Sequence, residues 1–155
     1  MKKLTCARLA SFALLLFACQ PTTTTTPPDP AKDIEAVKAV MKNIEATWNA
    51  GNWDATDYAG DCVTMPPGME ANLGKEAAIK RWESFLAANT STWTIDAFDD
   101  VQVSGDLAVV RYTVTDKVTP KTGGEAVTSR QKGIDVLKRQ GDGSWKVIIE
   151  IWNDN

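Results

Sequence analysis

The stretch GIDVLKRQGDGSWKVIIEIWN, residues 133–153, predicts two β-strands joined by a tight turn. Apolar and polar residues alternate on both sides of Asp142-Gly143, and an Asp-Gly pair between two such runs is typical of a two-residue hairpin turn. Each strand also carries one acid, Asp135 in the first and Glu150 in the second. With Asp142 and Gly143 as the two turn residues, Asp135 pairs with Glu150 on one face of the hairpin.

The two faces of this hairpin allow two interpretations. The face opposite the acids is the more apolar one, and it carries Ile134, Val136, Val147, Ile149 and Ile151. If that face is the core, Asp135 and Glu150 lie in water. If the acid face is the buried one, the two like charges repel, and one carboxyl keeps its proton to a higher pH. The apolar row then needs cover, which a two-fold dimer would supply.

In the domain as a whole, residues 31–155, the spacing of apolar residues changes near Thr92. Before it apolar residues recur every three or four positions, and after it they recur at every second position. Helices are predicted from Pro30 to Gly51, from Trp53 to Ala59 and after Gly74. Strands are predicted at 62–65, 92–103, 106–118, 125–139 and 145–152. Helices followed by a run of antiparallel strands predict an α+β fold, in which the helices pack on one face of a curved sheet. Such a sheet leaves an apolar cavity at its open end.

Residues 1–18 have the features of a signal peptide. Three basic residues precede an apolar run, Leu9 to Phe17, that is too short to span a bilayer. The run ends in Leu16-Phe17-Ala18-Cys19, which resembles the lipobox of bacterial lipoproteins, and this resemblance implies that Cys19 is lipidated. The alternative is an ordinary secretory signal that happens to contain a cysteine.

Residues 19–30 are predicted to tether the domain to the lipid. The segment QPTTTTTPPDP, residues 20–30, offers nothing apolar to pack, and its prolines keep the backbone extended. Gln20 stands where inner-membrane lipoproteins carry Asp, so in a Gram-negative host the resemblance implies an outer-membrane anchor in the bacterial envelope, with the domain facing the periplasm. The predicted membrane contact is therefore the N-terminal lipid.

Composition excludes several classes of function. The chain of 155 residues has 17 basic and 20 acidic residues, and removal of Lys2, Lys3 and Arg8 with the signal leaves 14 basic residues and a net charge of −6. Such a charge argues against nucleic acid as a partner. Histidine is absent, which excludes Ser-His and Cys-His nucleophiles and nearly all zinc sites. We predict no metal and no cofactor, and a structural role for Cys62, the one remaining thiol.

Several short motifs resemble the NTF2-like superfamily. The motifs are Trp48-Asn49-Ala50-Gly51-Asn52-Trp53-Asp54, Tyr58-Ala59-Gly60-Asp61, Met65-Pro66-Pro67-Gly68 and Gly74-Lys75-Glu76-Ala77-Ala78-Ile79. In this order they look like the SnoaL-like group, and the ending Asp142–Val147 with Ile151-Trp152-Asn153 is similar to its DUF4440 branch. The resemblance implies the NTF2-like cone for residues 31–155. It implies no activity, because this superfamily hosts enzymes and non-catalytic dimer modules.

Ketosteroid isomerase, a member with the same fold, uses an Asp base and an oxyanion hole of Tyr and protonated Asp. By resemblance, Asp135 takes the position of the protonated Asp, and Trp152 that of a pocket tryptophan. The tyrosine position falls on Ile44 and the base position on Pro66, so this chain is not a ketosteroid isomerase. The same resemblance implies that the acid face lines the cavity, which favours the second interpretation of the hairpin.

The predicted ligand pocket consists of Tyr58, Met65, Tyr112, Asp135, Glu150 and Trp152. Alternation in strand 106–118 points Tyr112 inward, whereas Tyr58 fits a packing role better. Trp48, Trp53 and Trp82 fall on helix stripes and are predicted core residues.

The predicted function is an envelope-anchored lipoprotein, homodimeric, whose cavity binds a small apolar or cationic ligand. One alternative is a lyase, isomerase or hydrolase that acts through Asp135, Glu150 and Tyr112. The other is a non-catalytic dimeric interaction module of an envelope assembly.

Overall fold

A computed structural model of the protein describes residues 29–155. The predicted signal peptide, Cys19 and most of the predicted tether lie outside the described residues. The elements are α1 (Pro30–Asn49), β1 (Tyr58–Met65), β2 (Asn72–Leu73), α2 (Lys75–Ala88), β3 (Asn89–Ser104), β4 (Leu107–Pro120), β5 (Val127–Arg139) and β6 (Trp145–Asp154).

Helix α1 begins where the predicted tether ends. The Asp29 side chain accepts hydrogen bonds from the backbone N–H groups of Ala31 and Lys32, and Pro30 occupies the first turn, where its missing N–H costs nothing. Residues 29 and 30 therefore belong to the fold. The predicted apolar stripe is buried at Val37, Met41 and Ile44, which pack against the sheet.

The six strands form one curved, unclosed sheet in the order β2-β1-β6-β5-β4-β3. Neighbouring strands are antiparallel with one exception, because β1 runs parallel to β6. Helix α1 contacts β3 and β6, and α2 contacts β1, β2 and β3. This arrangement confirms the predicted α+β cone, with a correction to the all-antiparallel sheet. In residues 29–155, no helix is long and apolar enough to cross a membrane.

The predicted short helix from Trp53 to Ala59 is wrong. The Asp54 carboxylate accepts a hydrogen bond of 2.9 Å from the backbone N–H of Thr56, and Ala55 has φ +54°. This side-chain bond closes a local turn that competes with a helix. The chain then enters β1 at Tyr58, four residues earlier than predicted.

The predicted two-residue turn at Asp142-Gly143 is a three-residue loop. The N–H of Gln140 donates to the carbonyl of Ser144 at 2.7 Å, and Gly143 has the φ of +86° that such a loop requires. The loop shifts the register by one residue, so that Leu137 pairs with Val147. A β-bulge in β6 then removes the shift. Asp135 therefore pairs with Glu150, as predicted.

The acid face of the hairpin is the inner face of the sheet. Asp135 is 0% exposed, whereas Ile134 is 42% and Ile151 41% exposed on the opposite face. Cross-strand pairing extends the apolar face into one outer apolar row, which contains Val63, Val109, Ile134, Val136, Ile149 and Ile151. The second interpretation of the hairpin thus describes the fold. Val147 is the exception, because the bulge in β6 places it on the inner face, opposite Leu137 and 0% exposed.

Candidate functional site

A cavity of about 360 Å³ lies between the inner face of the sheet and the two helices. Its volume is within the range of small-molecule sites, roughly 300–1,000 Å³. Most of its wall is apolar or aromatic. The lining residues are Ile44, Trp48, Trp53, Tyr58, Pro66, Pro67, Met69, Trp82, Phe85, Trp93, Tyr112, Val114, Asp116, Val118, Ser129, Gln131, Glu150, Trp152 and Asp154.

Glu150 presents its carboxyl group to the cavity from the middle of β6. The hydroxyl of Tyr58 donates to Glu150 Oε1 at 3.1 Å. Tyr58 is buried at the start of β1, the strand that pairs with β6, so the two side chains are held by neighbouring strands. Tyr58 is therefore more than the packing residue that was predicted, because its hydroxyl orients an acid of the cavity wall.

Asp135 lies behind the cavity wall, covered by Tyr112. The Tyr112 hydroxyl donates to Asp135 Oδ1 at 3.0 Å, and Oδ2 has no hydrogen-bond partner among the described residues. The Tyr112 ring can reach this position because its cross-strand neighbour is Gly133, where a Cβ atom would collide with the ring. The strand pairing therefore makes Tyr112 the group through which Asp135 faces the ligand space.

Both acids are held toward their neutral forms. Burial, and secondly the charge of Glu150, raises the pKa of Asp135 well above its usual range, against the opposing effect of the Tyr112 hydrogen bond. Burial raises the pKa of Glu150 to about 7, although the hydrogen bond from Tyr58 lowers it. Burial also raises the pKa of both tyrosines, which stay protonated donors. At neutral pH, Glu150 is the member of the pair that exchanges a proton.

The aromatic wall is larger than the sequence predicted. Trp152 was the single predicted pocket tryptophan, but four others, Trp48, Trp53, Trp82 and Trp93, line the same cavity. Trp82 lies between Trp48 and the predicted pocket residue Trp152. Its ring centroid is 5.4 Å from that of Trp48 and 5.8 Å from that of Trp152. The helix stripe that was assigned to the core is therefore also the roof of the cavity.

A second polar region is located where β4, β5 and β6 approach the opening. Asp116 accepts a hydrogen bond of 2.6 Å from Ser91, whose hydroxyl in turn accepts one from the Trp48 indole. Gln131 donates to Asp154 at 3.2 Å. Because Glu150 and Asp154 are four positions apart on one strand, the two polar regions are about 13 Å apart. An amphipathic molecule can therefore contact polar groups at both ends of the cavity.

The charge of the cavity wall has one sign. Its ionisable residues include three acids, Asp116, Glu150 and Asp154, and no Lys or Arg among the residues that the structure describes. In residues 29–155, no group of His, Cys, Asp and Glu side chains is arranged to hold a metal ion. Cys62 is buried in β1, and burial raises the pKa of its thiol.

The structure brings together most of the predicted pocket. Tyr58, Tyr112, Glu150 and Trp152 line the cavity, and Asp135 supports Tyr112 from behind. Met65 does not belong to this group, because it pairs with Ile151 on the outer face of the sheet.

Sequence reasoning missed two lining residues whose signal was present. Asp116 continues the inward alternation of Tyr112 and Val114 in β4, and Trp93 is on β3 opposite Asp116.

Ile44 and Pro66, the residues at the tyrosine and base positions of ketosteroid isomerase, also line the cavity. An apolar side chain thus stands at both positions.

An α+β cone with an internal cavity is the architecture of NTF2-like proteins. The SnoaL-like domain family matches residues 40–148, and the chain belongs to this family. No curated protein matches the sequence.

Solved structures with the same fold include an isomerase-like protein and two proposed dehydratases. A ketosteroid isomerase-like protein from Erwinia carotovora atroseptica is 21% identical, with a TM-score of 0.69, over 79% of this chain and 96% of that one. A proposed dehydratase of the NTF2-like family from Streptomyces avermitilis is 18% identical (TM-score 0.72; 82% and 99%). A proposed scytalone dehydratase from Novosphingobium aromaticivorans is 14% identical (TM-score 0.74; 81% and 85%). At sequence identities this low, the structural similarity shows the fold alone.

Proposed function

We propose that the domain binds a small, largely apolar organic molecule in its cavity. The observation that carries this proposal is the aromatic wall, in which five tryptophans and Phe85 surround a space of about 360 Å³. Aromatic walls with a few convergent polar groups are typical of small-molecule sites. Tyr58, Tyr112 and Glu150 supply the polar groups at one end, and Asp116 and Gln131 supply them at the other.

The binding energy comes mainly from the wall, and the polar groups orient the ligand. Aromatic side chains present a large apolar surface together with ring faces on which a planar ligand stacks. Polar groups of the wall lose contact with water when a ligand enters. A ligand that forms hydrogen bonds with the Glu150 carboxyl group and the Tyr112 hydroxyl oxygen should therefore bind more tightly than a pure hydrocarbon.

Binding of the apolar fluorophore 1-aminoanthracene tests this proposal. We expect one molecule per chain, with energy transfer from the wall tryptophans. Phe85→Ala removes a lining ring and should weaken binding by about tenfold, or 1.4 kcal/mol. The matched control is Leu86→Ala, because Leu86 is the next residue of α2 and does not line the cavity. Equal effects of the two substitutions, or no binding, would overturn the proposal.

Proton-transfer catalysis is a second candidate, favoured by the pKa of Glu150 near 7 beside two tyrosine hydroxyls. An acid with this pKa can remove and return a proton at neutral pH, and a tyrosine O–H can stabilise an enolate oxygen. A lyase or isomerase would use Glu150 as the base and Tyr112 as the donor, with the single Tyr112 O–H turning from Asp135 Oδ1 to the substrate oxygen.

Deuterium incorporation into 2-tetralone in D₂O tests for this activity. Wild type should accelerate exchange at the α-carbon, and Glu150→Gln should abolish the acceleration. Glu125→Gln is the matched control, because Glu125 is exposed and does not line the cavity. Exchange at the solvent rate in wild type would exclude the second candidate for this class of substrate.

For the setting of the domain, we propose a homodimer anchored by Cys19 to the outer membrane and facing the periplasm. Support for the dimer comes from the outer apolar row, since a contiguous exposed apolar face marks an interaction surface. Support for the anchor comes from the sequence Leu16-Phe17-Ala18-Cys19 alone. The alternative is a dimeric interaction module, which would use the same outer apolar row and bind no ligand in the cavity.

A further inference from the structure

We infer that the ligand of the cavity is an organic cation, a small arylalkylammonium compound whose ammonium group pairs with the carboxylate of Glu150. The inference rests on the proposed function and names its ligand class. It follows from the sign of the charges on the wall, from the aromatic rings beside Glu150 and from the neighbours of that carboxylate.

The wall repels anions and attracts cations. Three carboxyl groups line the cavity, and in the described part of the chain no basic side chain does. Asp154 is exposed and Asp116 accepts a hydrogen bond from Ser91, so solvent and a partner weaken their fields. Glu150 is the acid that acts through the low-dielectric interior, where a given charge has its largest effect.

A series of aromatic rings begins at Glu150. Tyr58 donates to its carboxylate, and the Trp53 ring lies 5.4 Å from the Tyr58 ring. Trp48 continues the series, 6.1 Å from Trp53. A cation next to ring faces and a carboxylate gains cation–π attraction of about 0.5–2 kcal/mol in addition to the ion pair. The aryl group of such a ligand extends toward Trp82 and Phe85, where the wall is apolar.

The side chains that face Glu150 contain no cation to satisfy it. The titratable ones are Tyr58 and Cys62 on β1, Tyr112 on β4 and Asp135 on β5. Burial raises the pKa of the two tyrosines and of Cys62 above ordinary values that already exceed 7, and it raises the pKa of Asp135 well above its usual range. An ammonium ligand would supply the missing counter-charge. Its binding would displace the proton of Glu150, whose pKa is about 7 in the free protein.

The matched series 3-phenylpropylamine, 3-phenylpropan-1-ol and 3-phenylpropanoate tests the inference by calorimetry with the purified protein. The three compounds share one hydrocarbon body and differ in charge. Near pH 8 we expect the amine to bind at least about tenfold more tightly than the alcohol, and the carboxylate to bind least. Between about pH 8 and pH 6 the amine should lose about tenfold in affinity, since Glu150 must then release a proton. Affinity of the alcohol should change much less.

Two variants assign the effect to Glu150. Glu150→Gln keeps an oxygen for the Tyr58 hydroxyl and removes the charge, so the preference for the amine should fall to about twofold or less. Glu125→Gln removes the same charge from an exposed loop and should leave the preference unchanged. Tighter binding of the alcohol than of the amine in wild type would overturn the inference and leave the proposed cavity intact. Failure of all three compounds, and of 1-aminoanthracene, would overturn both proposals.

Discussion

The two acids that face each other across β5 and β6 differ in their surroundings. Asp135 is fully buried and has one oxygen without a partner in the described structure, so its ionised form would carry the full cost of desolvation. Glu150 borders the cavity and exchanges its proton near pH 7. The like-charge repulsion predicted from the register is therefore a second cause for Asp135, after burial.

Two substitutions of Asp135 distinguish what its ionisable group contributes to stability from what its hydrogen bond with Tyr112 contributes. Asp135→Asn keeps an oxygen for the Tyr112 hydroxyl, so we expect a change of less than about 1 kcal/mol in the free energy of unfolding near pH 5. Asp135→Ala removes that acceptor and should cost about 1–3 kcal/mol. Urea denaturation of both variants measures the two costs. A large loss in the Asn variant would mean that the second oxygen has a partner.

Glu150 should make the protein less stable as the pH rises. Its pKa is about 4.5 in the unfolded chain and about 7 in the folded one, so the folded state binds more protons between these values. The stabilisation is complete below pH 4.5 and disappears as the pH rises through 7. Subtracting the stability of Glu150→Gln from that of wild type at pH 5 and pH 8 isolates this effect. A difference that is the same at both pH values would place the pKa of Glu150 in its ordinary range.

At the scale of elements, the site depends on how two antiparallel strands approach each other. Tyr112 on β4 lies over Gly133 on β5, and this contact places the tyrosine hydroxyl on Asp135. The hairpin of β5 and β6 then holds Asp135 opposite Glu150 through a loop and a bulge whose register shifts cancel. The absence of a side chain at Gly133 and the extra residue in the loop between β5 and β6 thus set the geometry of the polar end of the cavity, where Tyr112, Asp135 and Glu150 meet.

Gly133→Ala tests the close approach of β4 and β5. The new methyl group would overlap the Tyr112 ring, so we expect a loss of about 1–3 kcal/mol in the free energy of unfolding. Gly60→Ala in β1 is the matched control, because a Cβ there meets no atom within 4 Å, and it should cost less than about 1 kcal/mol. Equal costs in thermal denaturation would show that Tyr112 moves aside freely.

At the scale of the whole molecule, the sheet has one face toward the helices and one apolar face that no element of residues 29–155 covers. Ile149, Ile134 and Val109 are 37%, 42% and 43% exposed on the outer face. Together with their neighbours they form a surface of the kind that a two-fold axis closes. The helices thus cover the cavity side, and within the described part of the chain the other side remains exposed, as the proposed dimer requires.

Ile149→Asp tests the proposed homodimer. Wild type should sediment as a dimer at micromolar concentration, and a charge in the centre of the outer apolar row should give a folded monomer. Thr128→Asp adds the same charge at an exposed position of β5 outside the row and should stay dimeric. A wild-type monomer at this concentration would overturn the proposed dimer.

Cys19→Ala tests the proposed membrane anchor. The variant should lose both membrane partitioning and the incorporation of labelled palmitate, because stable anchoring requires lipid chains on that sulfur. Cys6→Ala, in the predicted signal peptide, should retain both. Continued palmitate labelling of the Cys19 variant would refute lipidation at this residue.

The sequence was sufficient for the fold class. The predicted pairing of Asp135 with Glu150 is also correct, although the two-residue turn behind it is wrong, because the register shifts of the loop and of the bulge cancel. Period-two alternation over long runs predicted the four long strands, and helical spacing predicted α1 and α2, because these patterns repeat many times along the chain. Residues 53–59 were misassigned, since one side-chain hydrogen bond from Asp54 decides the conformation there. Local bonds of this kind leave little trace in an apolar pattern.

Periodicity along the chain determined which residues share a face, because that depends on residues two or four positions apart. The exception is Val147, where the bulge in β6 reverses the alternation. Periodicity did not decide which face is inside, since the outer face is the more apolar one; the family resemblance favoured the acid face, and the tertiary structure places that face inside. It also decided that five tryptophans meet around one space and that Met65 points away from it. Such contacts join residues far apart in sequence, and their energies depend on distances that only the packed chain defines.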